Sequence, residues 1–245
     1  MKCSVITVAY NALQTLPNTI QSFQSQTYSN KEQIVVDGGS QDGSLPYLQS
    51  LDFDDLVWAS KKDQGIYDAM NNGILTSTGE IVGILNADDV FYADEVIEQV
   101  MSIFIDNPEL DAVYADVIFE RNGKTWRHYS AKEWSPERLS WGFMPPHPGV
   151  FLRKSLFDQF GYYKTDYSIA ADYELIIRLF WKHRIRSRYI PIVTANMSLG
   201  GVSTRNLNSN VILNREIKRA CRENGLSTNY LKIYSKYLFK WKELL

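Results

Sequence analysis

Residues 80–89, Glu80-Ile81-Val82-Gly83-Ile84-Leu85-Asn86-Ala87-Asp88-Asp89, pass from an unbroken apolar stretch directly into an amide and two acids. An apolar run with no polar alternation marks a strand covered on both faces, as inside a parallel sheet. Cys3 to Ala9, Gln33-Ile34-Val35-Val36 and Leu56-Val57-Trp58-Ala59 are short β-branched or apolar runs of the same kind. Helical spacing separates them, through Leu13, Leu16, Ile20 and Phe23 in one segment and from Ile66 to Leu75 in another. A further helix is expected from about Ala93 to Ile105, stopped before Asn107-Pro108. This alternation predicts an α/β fold with a mainly parallel central sheet and helices on both faces.

Beyond residue 110 the pattern changes. Ala112 to Phe119 and Thr125 to Tyr129 flank Arg121-Asn122-Gly123-Lys124, which reads as a hairpin turn. Pro145-Pro146-His147-Pro148 is loop chemistry. A helix is expected from Ala171 to Lys182, a strand from Ile185 to Val193, and helix from about Leu207 onward. The expected organisation is one domain over 1–205 and a helical extension over 206–245.

Hydrophobic residues make up 44% of the 245 and charged residues 22%, ordinary values for a folded globular chain. A formal net charge of -2 gives no general attraction to nucleic acid, and none is expected as a partner. The two cysteines, Cys3 and Cys221, form no framework, which favours a reducing compartment. The first ten residues turn polar too quickly for a signal peptide, and no run approaches the roughly 20 apolar residues of a membrane span. The expectation is a cytoplasmic protein.

In open parallel sheets ligands bind beyond the carboxyl ends of the strands. Ala9, Tyr10 and Asn11 follow the first strand, Asp37 the second, and Asn86-Ala87-Asp88-Asp89 the fourth. An aromatic wall, an amide and several carboxylates suit a nucleotide whose diphosphate is clamped by a divalent cation, since hard cations take oxygen ligands. Two adjacent acids repel unless a positive charge lies between them; a turn or helix cap is the competing explanation.

The ordered set Ser4-Val5-Ile6-Thr7-Val8-Ala9-Tyr10-Asn11, Val36-Asp37-Gly38-Gly39-Ser40, Asp63-Gln64-Gly65-Ile66-Tyr67-Asp68-Ala69-Met70-Asn71, Gly79 to Asp89, Pro146 to Phe151 and Ala171-Asp172-Tyr173-Glu174-Leu175 resembles the family 2 glycosyltransferases over roughly residues 3 to 203. That resemblance implies the GT-A nucleotide-sugar-binding fold. It also implies an inverting, metal-dependent transfer from a nucleotide-sugar donor, a UDP-sugar, to a saccharide acceptor in polysaccharide assembly. Asn86-Ala87-Asp88 then occupies the family's Asp-x-Asp position, with Asp88 as principal Mg2+ or Mn2+ ligand and Asp89 beside it or in its place. Asp37 matches the acid that reads the base, and Ala9 and Tyr10 match its packing wall. Met70 stands where some relatives carry a basic residue. Asp172 matches the catalytic base, with Ala171 in place of the preceding acid; capping of the following helix is the alternative role.

His147 is read as a donor or acceptor contact, with a loop hydrogen bond or metal ligation as the alternatives. Asp63 and Asn71, on either side of Gly65, are expected to line the donor pocket or to cap a helix starting at Ile66. Met197, Gly200, Gly201 and Ser203 form either a loop over the diphosphate or a plain turn. In 230–245, Tyr230, Leu231, Tyr234, Tyr237, Leu238, Trp241, Leu244 and Leu245 make an apolar stripe, with Lys232, Lys236 and Lys240 on another side. This segment is expected to lie on the inner membrane face, where a lipid-linked acceptor resides, or to pack on protein, including a second subunit.

A nucleotidyltransferase is one rival, but Tyr10-Asn11-Ala12-Leu13 stands where its Gly-rich basic loop belongs. A non-catalytic nucleotide-sugar-binding module is another, and it is disfavoured by the retained Asp88, Asp89 and Asp172. Ser40 lacks the closing glycine of a nucleophile elbow.

Overall fold

A computed structural model of the chain describes residues 1–121, 124–198 and 207–240. The turn expected at Asn122-Gly123, the segment containing Gly200, Gly201 and Ser203, and the last residues of the tail stripe, including Trp241, Leu244 and Leu245, lie outside them. The first half alternates as its apolar runs require: β1 (Cys3–Ala9), α1 (Leu16–Gln24), β2 (Lys31–Asp37), α2 (Ser44–Gln49), β3 (Leu56–Ser60), α3 (Ile66–Thr76) and β4 (Ile81–Ile84). Then come β5 (Val90–Phe91), α4 (Val96–Asp106), β6 (Ala112–Arg121), β7 (Lys124–Tyr129), β8 (Val150–Arg153) and α5 (Ser155–Phe160). The rest comprises α6 (Ala171–Ile176), which runs on as a π-helical stretch over Ile177–Lys182, β9 (Ser187–Met197), α7 (Leu207–Glu223) and α8 (Tyr230–Lys240).

The strands form one sheet in the order β3-β2-β1-β4-β8-β6-β9-β5, with β7 paired to β6. The sheet is parallel from β3 to β4. Beyond β4 it is mixed: β8 is antiparallel to both β4 and β6, and β6 and β9 run parallel. The expected parallel character therefore describes the half built from continuous apolar runs. The other half is entered through β8, a four-residue strand directly after a proline-rich loop.

Alternation along β1 explains the two covered faces. Ile6 and Val8 join a core with α3, α5, α6 and the C-terminal helices, whereas Cys3 and Val5 face Phe23 and α4. Helix α3 lies so close to β1 that a Cβ on Gly73 would come within 2.3 Å of Ile6. Burial pushes both cysteine thiols up to about 12, so they are inert packing groups.

Ile217, Ala220, Cys221, Leu226 and Ile233 from α7, α8 and their connection belong to the same buried cluster as Ile6 and Val8. Helix α8 turns Ile233 and Lys236 inward and leaves Tyr230, Leu231 and Tyr234 exposed. The Lys236 stem lies against Gly142, so its aliphatic chain is buried. Among the described residues no helix is long and apolar enough to cross a membrane.

Candidate functional site

The parallel register sets Ala9, Asp37 and Ser60 side by side at the ends of β1, β2 and β3. Asp37 is fully buried, and its carboxylate serves its own loop. It accepts from the Ser40 amide at 3.0 Å, the Gly39 amide at 3.2 Å, the Ser60 hydroxyl at 2.6 Å and the Ser40 hydroxyl. Asn11 takes a left-handed φ of 49°, a conformation asparagine tolerates. It ties the two strand ends together, donating its amide to Ser40 Oγ at 2.7 Å and accepting from the Gln41 amide at 2.9 Å. Above this knot, Gly38 lies between the exposed Tyr10 ring and Asp63. A Cβ at Gly38 would meet Asp63 Oδ2 at 2.7 Å and Tyr10 at 3.4 Å, so only glycine leaves the slot open. Asp63 uses Oδ1 to accept the Gly65 amide at 2.9 Å.

A cavity of about 420 Å3 opens beside this slot. Tyr10, Asn86, Ala87, Asp88, Asp89, His147 and Asp172 all line it, as do Met70 and Met197. Ala9, Asp37, Asp63 and Asn71 do not line it. The β1 pairing continues past β4, with the Ala87 amide donating to the Val8 carbonyl at 3.3 Å, and this carries Asn86-Ala87-Asp88 to the cavity edge. Asp88 is exposed, while Asp89 is buried and accepts the Ser198 amide at 3.1 Å. Burial first, then the Asp88 charge, pushes the Asp89 carboxyl up to about 7.

Asn86 Oδ1 is buried and has no hydrogen-bond partner among the described residues. The described lining residues include no lysine or arginine. An orphaned amide oxygen, two adjacent carboxylates and this lack of positive charge fit a hard divalent cation that completes its shell with phosphate oxygens and water. Among the described residues no group of three or more His, Cys, Asp or Glu is placed to hold a metal unaided.

Across the cavity, Asp172 stands in the first turn of α6. The N-cap is Ala170 with no side-chain cap bond, so Asp172 is not the cap. Its Oδ1 accepts the Tyr173 amide at 2.7 Å and lies 3.5 Å from the Tyr67 hydroxyl, which donates to the Ile169 carbonyl. Burial is the largest influence on the carboxyl and pushes it up to about 6.

His147 Nε2 pairs with the Tyr163 hydroxyl at 2.8 Å, and burial brings its pKa down to about 4, so the ring is neutral at physiological pH. Asn71 grips the Tyr163 backbone with both ends of its amide, at 2.8 and 2.9 Å. Asn71 thus orients the partner of His147 and does not itself reach the cavity. Tyr67, Tyr163 and Glu216 were not among the sequence candidates. Glu216 accepts three backbone amides just ahead of Asp172. Bonds of that kind leave no periodicity or motif in a sequence.

The sequence model described as Glycosyl transferase family 2 matches residues 4–167. A PGL/p-HBAD biosynthesis glycosyltransferase of Mycobacterium bovis is 31% identical over 82% of this chain and 78% of its own length. In structure, S. aureus TarS 1-349 in complex with UDP-GlcNAc superposes with a TM-score of 0.71 at 19% identity, covering 97% of this chain and 72% of that one. Mannosyltransferase PcManGT from Pyrobaculum calidifontis, in complex with GDP-Man and Mn2+, gives 0.67 at 18%, covering 91% and 63%. These structural likenesses agree with a GT-A fold. With the family model and the mycobacterial relative, they lead to one conclusion: the chain belongs to glycosyl transferase family 2.

Proposed function

We propose that this glycosyltransferase moves a sugar from a UDP-sugar to a saccharide hydroxyl with inversion at the anomeric carbon. In this reading Asp172 is the base, and Asp88 holds a divalent cation, Mg2+ or Mn2+, with Asp89 beside it. One observation carries the proposal: the acids at the end of β4 and the acid at the start of α6 open onto a single cavity. Inversion needs one carboxylate near the incoming hydroxyl, opposite the departing diphosphate. The acceptor oxygen attacks the anomeric carbon, its proton passes to Asp172, and the bond to the diphosphate breaks. When bound, the cation neutralises charge on that leaving group. Tyr10 and Gly38 offer the base a flat slot. Asp63 is the better-placed acid at that slot, because Asp37 is occupied by its own loop. The neutral His147 supplies a hydrogen bond to a sugar hydroxyl.

UDP is the favoured nucleotide because TarS is seen with UDP and with UDP-GlcNAc; the mannosyltransferase carries GDP-Man, which makes the base a point to test. A lipid-linked acceptor and attachment to an anionic membrane face are supported by α8, whose Tyr230, Leu231 and Tyr234 are exposed, with the Lys218 ammonium over the Tyr230 ring.

A thermal-shift screen of UDP- and GDP-sugars, with and without Mn2+, tests donor and metal together. The expected result is a Mn2+-dependent rise for a UDP-sugar. Asp172→Asn should keep that shift and lose turnover by about 10²-fold or more; unimpaired turnover would remove Asp172 from the role.

A further inference from the structure

We infer that Glu216, on α7, is a positioning residue for the proposed base, holding the backbone turn from which Asp172 projects. The inference rests on the reading of Asp172 given above. One Glu216 carboxylate accepts the Ser168 amide at 2.7 Å and the Ile169 and Ala170 amides at 2.9 Å each. Charge-assisted bonds of this kind are shorter and stronger than neutral ones. Ser168 and Ile169 themselves line the cavity, so the clamped turn is one of its walls.

The turn is held from both sides. Glu216 takes its amides from α7, and Tyr67 on α3 donates to the Ile169 carbonyl. The preceding residues are tied to the same helix. Arg219 donates to the Asp166 carbonyl at 3.1 Å and pairs with its carboxylate, while Glu223 accepts from Lys164 at 2.8 Å and from Tyr167 at 2.9 Å. These outer ties anchor α7, whereas Glu216 is the α7 side chain, among the described residues, that takes the amides leading into Asp172.

The chemistry demands a carboxylate. Ser168 donates to Oε1, and the other two amides donate to Oε2. A glutamine would have to turn its NH2 group toward at least one amide donor. Displacing a catalytic group by about 1 Å can cost roughly 10²-fold in rate, so loosening this turn should be felt in turnover. The Glu216 charge also faces Asp172, together with Tyr67, Tyr163 and His147 around it.

The test compares Glu216→Gln with Glu223→Gln in the full chain. The first measurement, amide hydrogen exchange, needs no substrate. Glu216→Gln should speed exchange at Ser168, Ile169 and Ala170 by about 10-fold or more, as expected for losing charge-assisted bonds. The second measurement is nucleotide release from the UDP-sugar that gives the largest thermal shift. Glu216→Gln should lower kcat by about 10-fold while the donor KM stays within about 2-fold. Glu223→Gln, which weakens only the outer ties, should do neither.

Unchanged exchange and kcat in Glu216→Gln would overturn the inference, as would an equal effect from Glu223→Gln. If Glu216→Gln behaves as expected while Asp172→Asn retains full turnover, the clamp stands and the reading of Asp172 falls. The two failures are thereby separated. Should Glu216→Gln fold poorly, Glu216→Asp, which keeps the charge on a shorter arm, should give the same split between kcat and KM.

Discussion

The carboxyl of Asp172 is lifted to about 6 chiefly because folding strips it of water. On the proposed reading Asp172 is the base and works only when deprotonated, so turnover should hold above that value and fall as pH drops through about 6. A pH–rate profile at saturating donor checks this, and an acid limb near 4 would mean the residue is solvated in the working enzyme. The stability sign runs the other way. An acid whose folded pKa exceeds its unfolded value of about 3.9 favours the fold most at low pH, and that contribution is lost as pH rises toward 6. Asp172→Asn should therefore melt higher than the parent at pH 8, with the gap closing near pH 4. His147 has no comparable dependence near neutrality, because burial brings its titration down to about 4.

At the scale of elements, α8 presents a choice that its helical spacing leaves open. Ile233 and Lys236 dock, while Tyr230, Leu231 (85% exposed) and Tyr234 face outward. Replacing those three with serine should leave folding intact and weaken sedimentation with phosphatidylserine vesicles by at least several-fold. Equal sedimentation would turn the surface into a protein contact. A periodic stripe identifies a face but not its neighbour, which is why the Lys236 side could not be assigned to the interior from sequence. The elements built on continuous apolar or helically spaced runs were legible: β1, β2, β3 and α3 follow those runs closely. The short ones, α2, β5, β8 and α5, fell below the length at which a period declares itself. Strand β9 extends to Met197 because it pairs with β6, a tertiary cause that no local pattern records. In the cavity, Tyr10, Asn86, Asp88 and Asp89 could be picked out by their chemistry at strand ends and His147 by its loop, whereas Asp172 was indicated by the family resemblance. The division of labour between Asp37 and Asp63, and between Asn71 and Tyr163, depends on which backbone each side chain meets.

Across the whole molecule, the C-terminal helices share the main core. Ile217, Leu226 and Ile233 are buried in the cluster that includes Ile6 and Val8. Burial of three such side chains contributes roughly 5–9 kcal/mol, at ~1.5–3 each. That is comparable with the total margin of about 5–15 kcal/mol for an ordinary domain. A chain ending at residue 206 should therefore show no cooperative thermal transition by circular dichroism; a sharp melt within a few degrees of the full chain would contradict a shared core.

The described walls of the cavity hold carboxylates and no lysine or arginine. A bare nucleoside diphosphate arriving there meets like charge on several sides. On the proposed reading, the productive visitor is the sugar nucleotide already complexed with its counter-ion, and the two enter and leave as a unit. Initial rates should then track the concentration of that preformed complex, and surplus uncomplexed nucleotide should compete poorly for the empty protein.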